Sequence, residues 1–276
     1  MKKEIKIVNE ELGIVQITTY DERWYAFTKT DTATGLPAYH YVPSVTWICE
    51  HYPKGIPFYK WLADKGWNEA EAIKIAAGDK GSKVHHAVLD LLMGNVIQMS
   101  DKYWNETTEK DEELTVEEYA CVLSFADWFT SQTINGTPPE IKVNELSVIN
   151  KTENYAGTID LICVIADQHW IIDFKTSQYI WPSHELQLSA YKHALKNKEK
   201  IPYKLGILQL GYHQNKRHYK FTEIADKYDE FLAAKVIWAN ETKGVQPLQR
   251  DYPLSVTLNI PKESEVENAN KTDKSS

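Results

Sequence analysis

Short alternating runs open the chain: Ile5-Lys6-Ile7-Val8, Gly13-Ile14-Val15-Gln16-Ile17 and Arg23-Trp24-Tyr25-Ala26-Phe27, parted by polar turns such as Asp31-Thr32-Ala33-Thr34-Gly35. Period-two patterning of this kind predicts a small antiparallel β lobe over residues 1–42. The pattern then becomes helical. Ser44 can cap a short helix over 45–51, Pro57 opens another that Gly66 can end, and Asn68 with Glu71 makes a capping-box pattern ahead of a third. Gly81-Ser82 leads into a further apolar-faced segment carrying Val84, Val88, Leu91 and Leu92, and Thr115-x-x-Glu118 caps a longer helix reaching about Phe129. Residues 44–131 are therefore expected to be a helical region.

After Pro138-Pro139 the period shortens again. Residues 141–149 alternate, 155–165 are strongly β-forming, and Trp170-Ile171-Ile172-Asp173-Phe174 is a compact apolar run typical of a buried strand. A helix is expected over 183–195, entered after Pro182 and carrying Glu185 in its first turn, where the helix dipole favours a carboxylate. A strand over 203–212 and a final helix from Phe221 to about Asn240 complete a core spanning 140–240. The tail 262–276, rich in Lys, Glu, Asn and Ser without an apolar period, is expected to be disordered, which leaves 43–261 as the main domain.

Composition narrows the function classes. With 42% hydrophobic residues among 276, the chain can bury a substantial core. No stretch approaches the roughly 20 apolar residues of a membrane span, and Met1-Lys2-Lys3-Glu4 is not followed by a signal-peptide apolar segment, so a cytoplasmic protein without a membrane partner is expected. Cys49, Cys121 and Cys163 are widely spaced and form no Cys-x-x-Cys pair, which indicates neither a disulfide framework nor a zinc ribbon. A net charge of -8 argues against a protein that coats nucleic acid non-specifically. The charge is uneven, however: Lys192, Lys196, Lys198, Lys200, Lys204, Lys216, Arg217 and Lys220 face a single acid, Glu199, in the window 192–220. That window is either a solvated helix end and hairpin or a surface that guides phosphates.

Asp173 and Lys175 stand one residue apart at the end of an apolar strand, so both side chains point to one face. Alone the pair reads equally as a surface salt bridge. Asp160 changes that, because it interrupts the otherwise apolar residues 159–165 of the preceding strand, where an unpaired acid is costly. Two acids on neighbouring strands with a lysine beside them can hold a hard divalent ion and a phosphate oxygen together.

Gly157-Thr158-Ile159-Asp160, then Ile171-Ile172-Asp173-Phe174-Lys175-Thr176-Ser177, then Gln187-Leu188-Ser189-Ala190-Tyr191 resembles the D, D-x-K and Q-x-x-x-Y series of the RecB-like branch of the PD-(D/E)xK nuclease superfamily. Upstream, Gly81-Ser82-Lys83-Val84-His85 resembles that branch's G-x-x-x-H motif, and Val42-Pro43-Ser44-Val45-Thr46 with Trp61 is similar to phage and mitochondrial genome maintenance exonucleases. The resemblance covers about Pro43 to Tyr212.

It implies an α/β fold with a restriction-endonuclease-like core, a mixed central sheet flanked by helices. It also implies a DNA nuclease that uses Mg2+ or Mn2+ and acts on single-stranded DNA or free ends with little sequence specificity, in bacterial or phage-infected cytosol. Asp160 and Asp173 would be metal ligands, joined by the Phe174 carbonyl and by His85, whose other reading is a packed or capping histidine. Lys175 would orient the attacking water or stabilise charge on the phosphate. Glu145 would complete the metal shell, act through a water, or merely pair with a lysine. Gln187 and Tyr191, one helical turn apart, would touch the nucleophile or phosphate and brace the site; otherwise Tyr191 is core and Gln187 solvated. Tyr179 and Trp181 either stack on bases or anchor a loop, and Lys192, Lys216 and Arg217 are candidate DNA contacts. The scattered cysteines argue against the iron-sulfur cluster of some relatives. A structure-selective endonuclease and a catalytically inactive DNA-binding module are the alternatives; the second expects a gap in the Asp160, Asp173, Lys175 set, and there is none.

Overall fold

A computed structural model describes residues 4–18, 23–30, 32, 35–195, 200–243 and 245. The start Met1-Lys2-Lys3, most of the turn 31–34, Lys196, Lys198 and Glu199, and the tail 262–276 lie outside the described residues. Four strands, β1 (Glu4–Asn9), β2 (Ile14–Thr18), β3 (Arg23–Thr30) and β4 (Pro37–Val42), form an antiparallel sheet in that order. Its apolar face is completed by the central sheet: Ile14, Tyr25, Phe27 and Val42 cluster with Ile149 and Ala156. Asn9 donates from Nδ2 to the Ser147 carbonyl at 2.8 Å, which pins the same junction.

Helix α1 (Val45–Glu50) is capped as the sequence predicts, with the Trp47 amide donating to Ser44 Oγ at 3.1 Å. Helix α2 (Ile56–Lys65) has Pro57 in its first turn and ends at Gly66, whose φ of 74° favours glycine. Three expectations then need correction. The helix from Asn68 and the segment after Gly81 are one element, α3 (Trp67–Leu92), 26 residues and about 39 Å long at 1.5 Å per residue. Gly66 already starts it, so Asn68 is not a cap, and Gly78 and Gly81 sit within it. An interior glycine costs a helix only about 1 kcal/mol against alanine, which the burial of Val84, Ala87 and Val88 outweighs.

Second, the region 44–131 is not wholly helical: β5 (Lys102–Asn105) and β6 (Lys110–Glu113) form a hairpin. Asn105 Oδ1 nucleates its turn by accepting from the Thr107 and Thr108 amides at 2.9 and 3.0 Å, and Tyr103 packs with Ala87, Leu114 and Val122. Helix α4 (Val116–Ser131) follows, with the Thr115–Glu118 capping box formed in both directions. Glu118 also meets the buried Lys83 ammonium at 2.9 Å, an ion pair that ties α4 to α3.

The central sheet holds β7 (Glu140–Asn150), β8 (Tyr155–Ile165), β9 (Gln168–Lys175), β10 (Lys204–Leu210) and β11 (Tyr219–Ile224) in the order β11-β10-β9-β8-β7. Only β9 and β10 pair in parallel, joined by α5 (Pro182–Ala194). β11 is the third correction: residues 219–224 alternate and pair with β10, so the last helix, α6 (Tyr228–Thr242), begins later than Phe221. The molecule is thus mixed α/β with a five-stranded mixed sheet. Helices α1, α5 and α6 bury one face through Ile48, Leu188 and Phe231, and α3 and α4 bury the other through Val88, Phe125 and Trp128. Cys49, Cys121 and Cys163 are buried free thiols. No helix among the described residues is long and apolar enough to cross a membrane.

Candidate active site

The site lies where β8 and β9 part. Their register ends at Leu161 opposite Ile172, while β9 stays paired to β10 through Asp173, Phe174 and Lys175. Asp160 fills the opening: its Oδ2 accepts from the Phe174 amide at 2.7 Å, replacing a ladder hydrogen bond with a charge-assisted one. Across from Asp160 the β7 strand keeps its register, with Asn144 paired to Leu161 and Leu146 to Ile159, but Glu145 between them takes a φ of 52° and does not join the ladder. A carboxylate set between strands keeps the Phe174 carbonyl accessible, and His85 on α3 reaches it, Nε2 to oxygen, at 3.0 Å. A carbonyl only accepts, so in this arrangement Nε2 carries the proton. His85 Nδ1 then faces Asp160 Oδ1 at 3.6 Å.

Asp173 and Lys175 share a face, as alternation requires, and their charged atoms stand 2.7 Å apart. Asp173 Oδ2 is buried, and the Lys175 ammonium is the partner the fold supplies to it. Burial pushes the Asp173 carboxyl up; Lys175 opposes that and Asp160 adds to it. Burial alone would strip the Lys175 proton, but Asp173 and Asp160 outweigh it and hold the ammonium charged above its ordinary range. From Lys175 the chain of contacts continues to Gln187 Oε1 at 3.3 Å, and Gln187 Nε2 donates to the Tyr191 hydroxyl at 2.6 Å. Tyr191 is buried, chiefly by which its hydroxyl is raised well above the usual range. Its ring lies over Gly157, where a Cβ would come within 2.4 Å of Tyr191 Cε1.

Asp160, Phe174, Lys175 and Tyr191 border a cleft of about 1200 Å³ walled by β1 and β2 on one side (Lys6, Val8, Gln16) and α3 on the other (Lys74, Gly81, His85). Glu145 lies exposed on its lining and, among the described residues, makes no ion pair; Lys142, the strand lysine beside it, pairs with Glu140 instead. Other predicted contacts lie elsewhere. Tyr179 and Trp181 stand exposed outside the lining with ring centroids 6.2 Å apart. Lys192 pairs with Asp226 at 3.0 Å, and Lys216 and Arg217 line a smaller hollow beside Asp127 and Ser131 on α4. The basic window is therefore divided among separate surfaces: Lys204 pairs with Glu223, and Lys220 sits over the Tyr212 ring.

Two lining residues escaped the sequence reading. Thr158 links Tyr25 and Ser147 at 3.2 and 3.1 Å on the cleft floor. His184, one turn before Gln187 on α5, lines the cleft with Lys175. Its spacing to Gln187 and Tyr191, three and seven residues, was the available signal.

The donor set suits a hard divalent ion. Asp160, Asp173 and the Phe174 carbonyl offer oxygens, and His85 offers an imidazole beside the Phe174 carbonyl and Asp160 that could ligate once the hydrogen bond to the carbonyl is given up. Among the described residues, no three His, Cys, Asp or Glu side chains are already gathered closely enough to hold an ion by themselves. Comparison with protein-family models gives no match, and comparison with curated proteins gives none either.

Proposed function

We propose that this chain is a metal-dependent deoxyribonuclease with a restriction-endonuclease-like core, an exonuclease preferring single-stranded DNA ends with little sequence specificity. The observation that carries the reading is the buried Asp173–Lys175 pair at a strand end that diverges around Asp160. Taking a carboxylate and an ammonium largely out of water is expensive, which marks a site kept for chemistry rather than stability. All three residues of the D and D-x-K series are present, with Asp160 and Lys175 on the lining of one cleft and Asp173 buried against Lys175, which disfavours an inactive DNA-binding module.

Asp160, Asp173, the Phe174 carbonyl and His85 would hold Mg2+ or Mn2+. Bound there, the ion supplies charge neutralisation at the phosphate and a water of lowered pKa. Lys175, held charged, positions the attacking water or stabilises the charge that develops on phosphate oxygens. Gln187 fixes the Lys175 ammonium, and Tyr191 fixes Gln187 from its seat on Gly157. Such a site reads phosphate geometry rather than base edges, so little sequence preference follows. A cleft bounded by a sheet and a long helix suits a flexible single strand better than a stiff duplex.

The test is incubation of end-labelled single-stranded, double-stranded and circular DNA with Mg2+ or Mn2+. Linear single strands should be shortened from an end, and Lys175→Ala should lose about 10²–10³-fold in rate, as when a transition-state donor is removed. Asp173→Ala should be inactive. Absence of metal-dependent cleavage on every substrate overturns the reading, and cutting of circles replaces the exonuclease with the endonuclease alternative.

A further inference from the structure

His184 occupies the third position of α5 and turns its ring back on the helix start: Nδ1 accepts from the Trp181 amide at 3.4 Å, while the His184 amide donates to the Trp181 carbonyl at 2.9 Å. An accepting Nδ1 is unprotonated, so the ring is neutral and its one proton sits on Nε2. Among the described residues Nε2 has no hydrogen-bond partner, and the ring lines the same cleft as Lys175. The surroundings reinforce this tautomer. Burial, then the positive charges of Lys175 and Lys54, push the imidazole down to about 3, so it does not take a second proton at neutral pH. A neutral donor thus stands on the cleft lining with Lys175, at the N-terminus of a helix, whose dipole favours an anion.

We infer that His184 is a second phosphate contact, donating from Nε2–H to a non-bridging oxygen of a backbone phosphate at or next to the bond aligned with Lys175. This rests on the nuclease reading. The ring gives direction without charge, so it holds the strand in register while Lys175 and the metal ligands deal with the reacting group. No bond is made or broken at His184.

The cap and the contact can be separated by substitution. Glutamate at the third helical position also accepts from the amide before the helix, and its charge favours the helix N-terminus. His184→Glu should therefore fold and melt at or above the wild-type temperature, yet place a negative charge against phosphate. Glutamine can accept and donate. The measurement is kcat/KM on a single-stranded oligonucleotide with Mn2+, with melting curves for each variant. His184→Gln should stay within about tenfold of wild type, His184→Ala should fall about 10–100-fold, and His184→Glu further still. A scan of methylphosphonate linkages, each removing one phosphate charge, should find one linkage that slows the wild type but adds no loss to His184→Ala. If His184→Glu is as active as His184→Gln, or if every linkage is additive with His184→Ala, the inference fails while the nuclease reading stands. A wild-type protein that cuts no DNA with any metal overturns both.

Discussion

At the scale of single residues, the site is held by contacts that leave almost no room for adjustment, and Gly157 is the clearest case. It needs to be glycine because Tyr191 occupies the volume a side chain would take, 2.4 Å from the position of a Cβ. Gly157→Ala should push the ring away, lengthen the Gln187 contact and loosen Lys175. An overpacking cost of about 1–3 kcal/mol is expected in urea unfolding, together with a fall in kcat larger than any rise in KM. An unchanged kcat would separate Tyr191 from the chemistry. The motif residues were legible in the sequence because their geometry is local: alternation places Asp173 beside Lys175, and one helical turn places Gln187 beside Tyr191. His184 was not legible in that way, because its state depends on Lys54 and Lys175, which the fold brings to it from other elements. Lys192 illustrates the opposite failure. Its charge counts in the sequence, but Asp226, distant along the chain, takes it up.

At the scale of elements, strands and capped helices followed the sequence closely wherever side chains dictate backbone, as at the Ser44 cap and the Thr115–Glu118 box. The errors fall where burial overrides local preference. Gly81-Ser82 read as the start of a separate segment, yet α3 runs through it, and through Gly78, because its second half is anchored on the sheet by Val84 and Val88. That continuity carries His85 on the same rigid helix that walls the cleft from Lys74 onward. Gly78 gives a direct test of the reasoning, since a Cβ there meets nothing within 4 Å and its φ is helical. Gly78→Ala should raise stability by about 0.5–1 kcal/mol, through helix propensity alone. Thermal unfolding followed by circular dichroism measures it, and a loss of stability would mean the glycine serves a close approach that the helix itself does not display. The β5–β6 hairpin and β11 were missed for a simpler reason: each is short, and its partner strand rather than its own composition makes it a strand.

At the scale of the whole molecule, the N-terminal sheet and the central sheet share a core and two walls of one cleft, so binding in the cleft is coupled to the stability of the entire chain. The site is costly without an ion. Asp173 has a carboxyl raised by burial, so its ionised form is the disfavoured one in the fold. The sign follows: this group lowers stability at neutral pH, and the deficit shrinks as pH falls through its raised range and the carboxylate takes a proton. A divalent ion relieves the same cost at neutral pH. Saturation at 100 times the dissociation constant adds about 2.7 kcal/mol, and a domain of this size gains about 2–4 °C per kcal/mol. Calorimetry at pH 7.5 should therefore show Mn2+ raising the melting temperature by about 5–10 °C. The shift should fade on acidification, and begin to fade at a higher pH than an ordinary carboxylate would cause, because the proton competes for a ligand that is already hard to ionise. A chain with 39 Asp and Glu residues can also bind ions at its surface. The Asp160→Asn, Asp173→Asn double variant separates the two cases, since it should melt at the same temperature with or without Mn2+. An equal shift in that variant would place the ion elsewhere, and the cost of burying Asp173 would then need another explanation than metal binding.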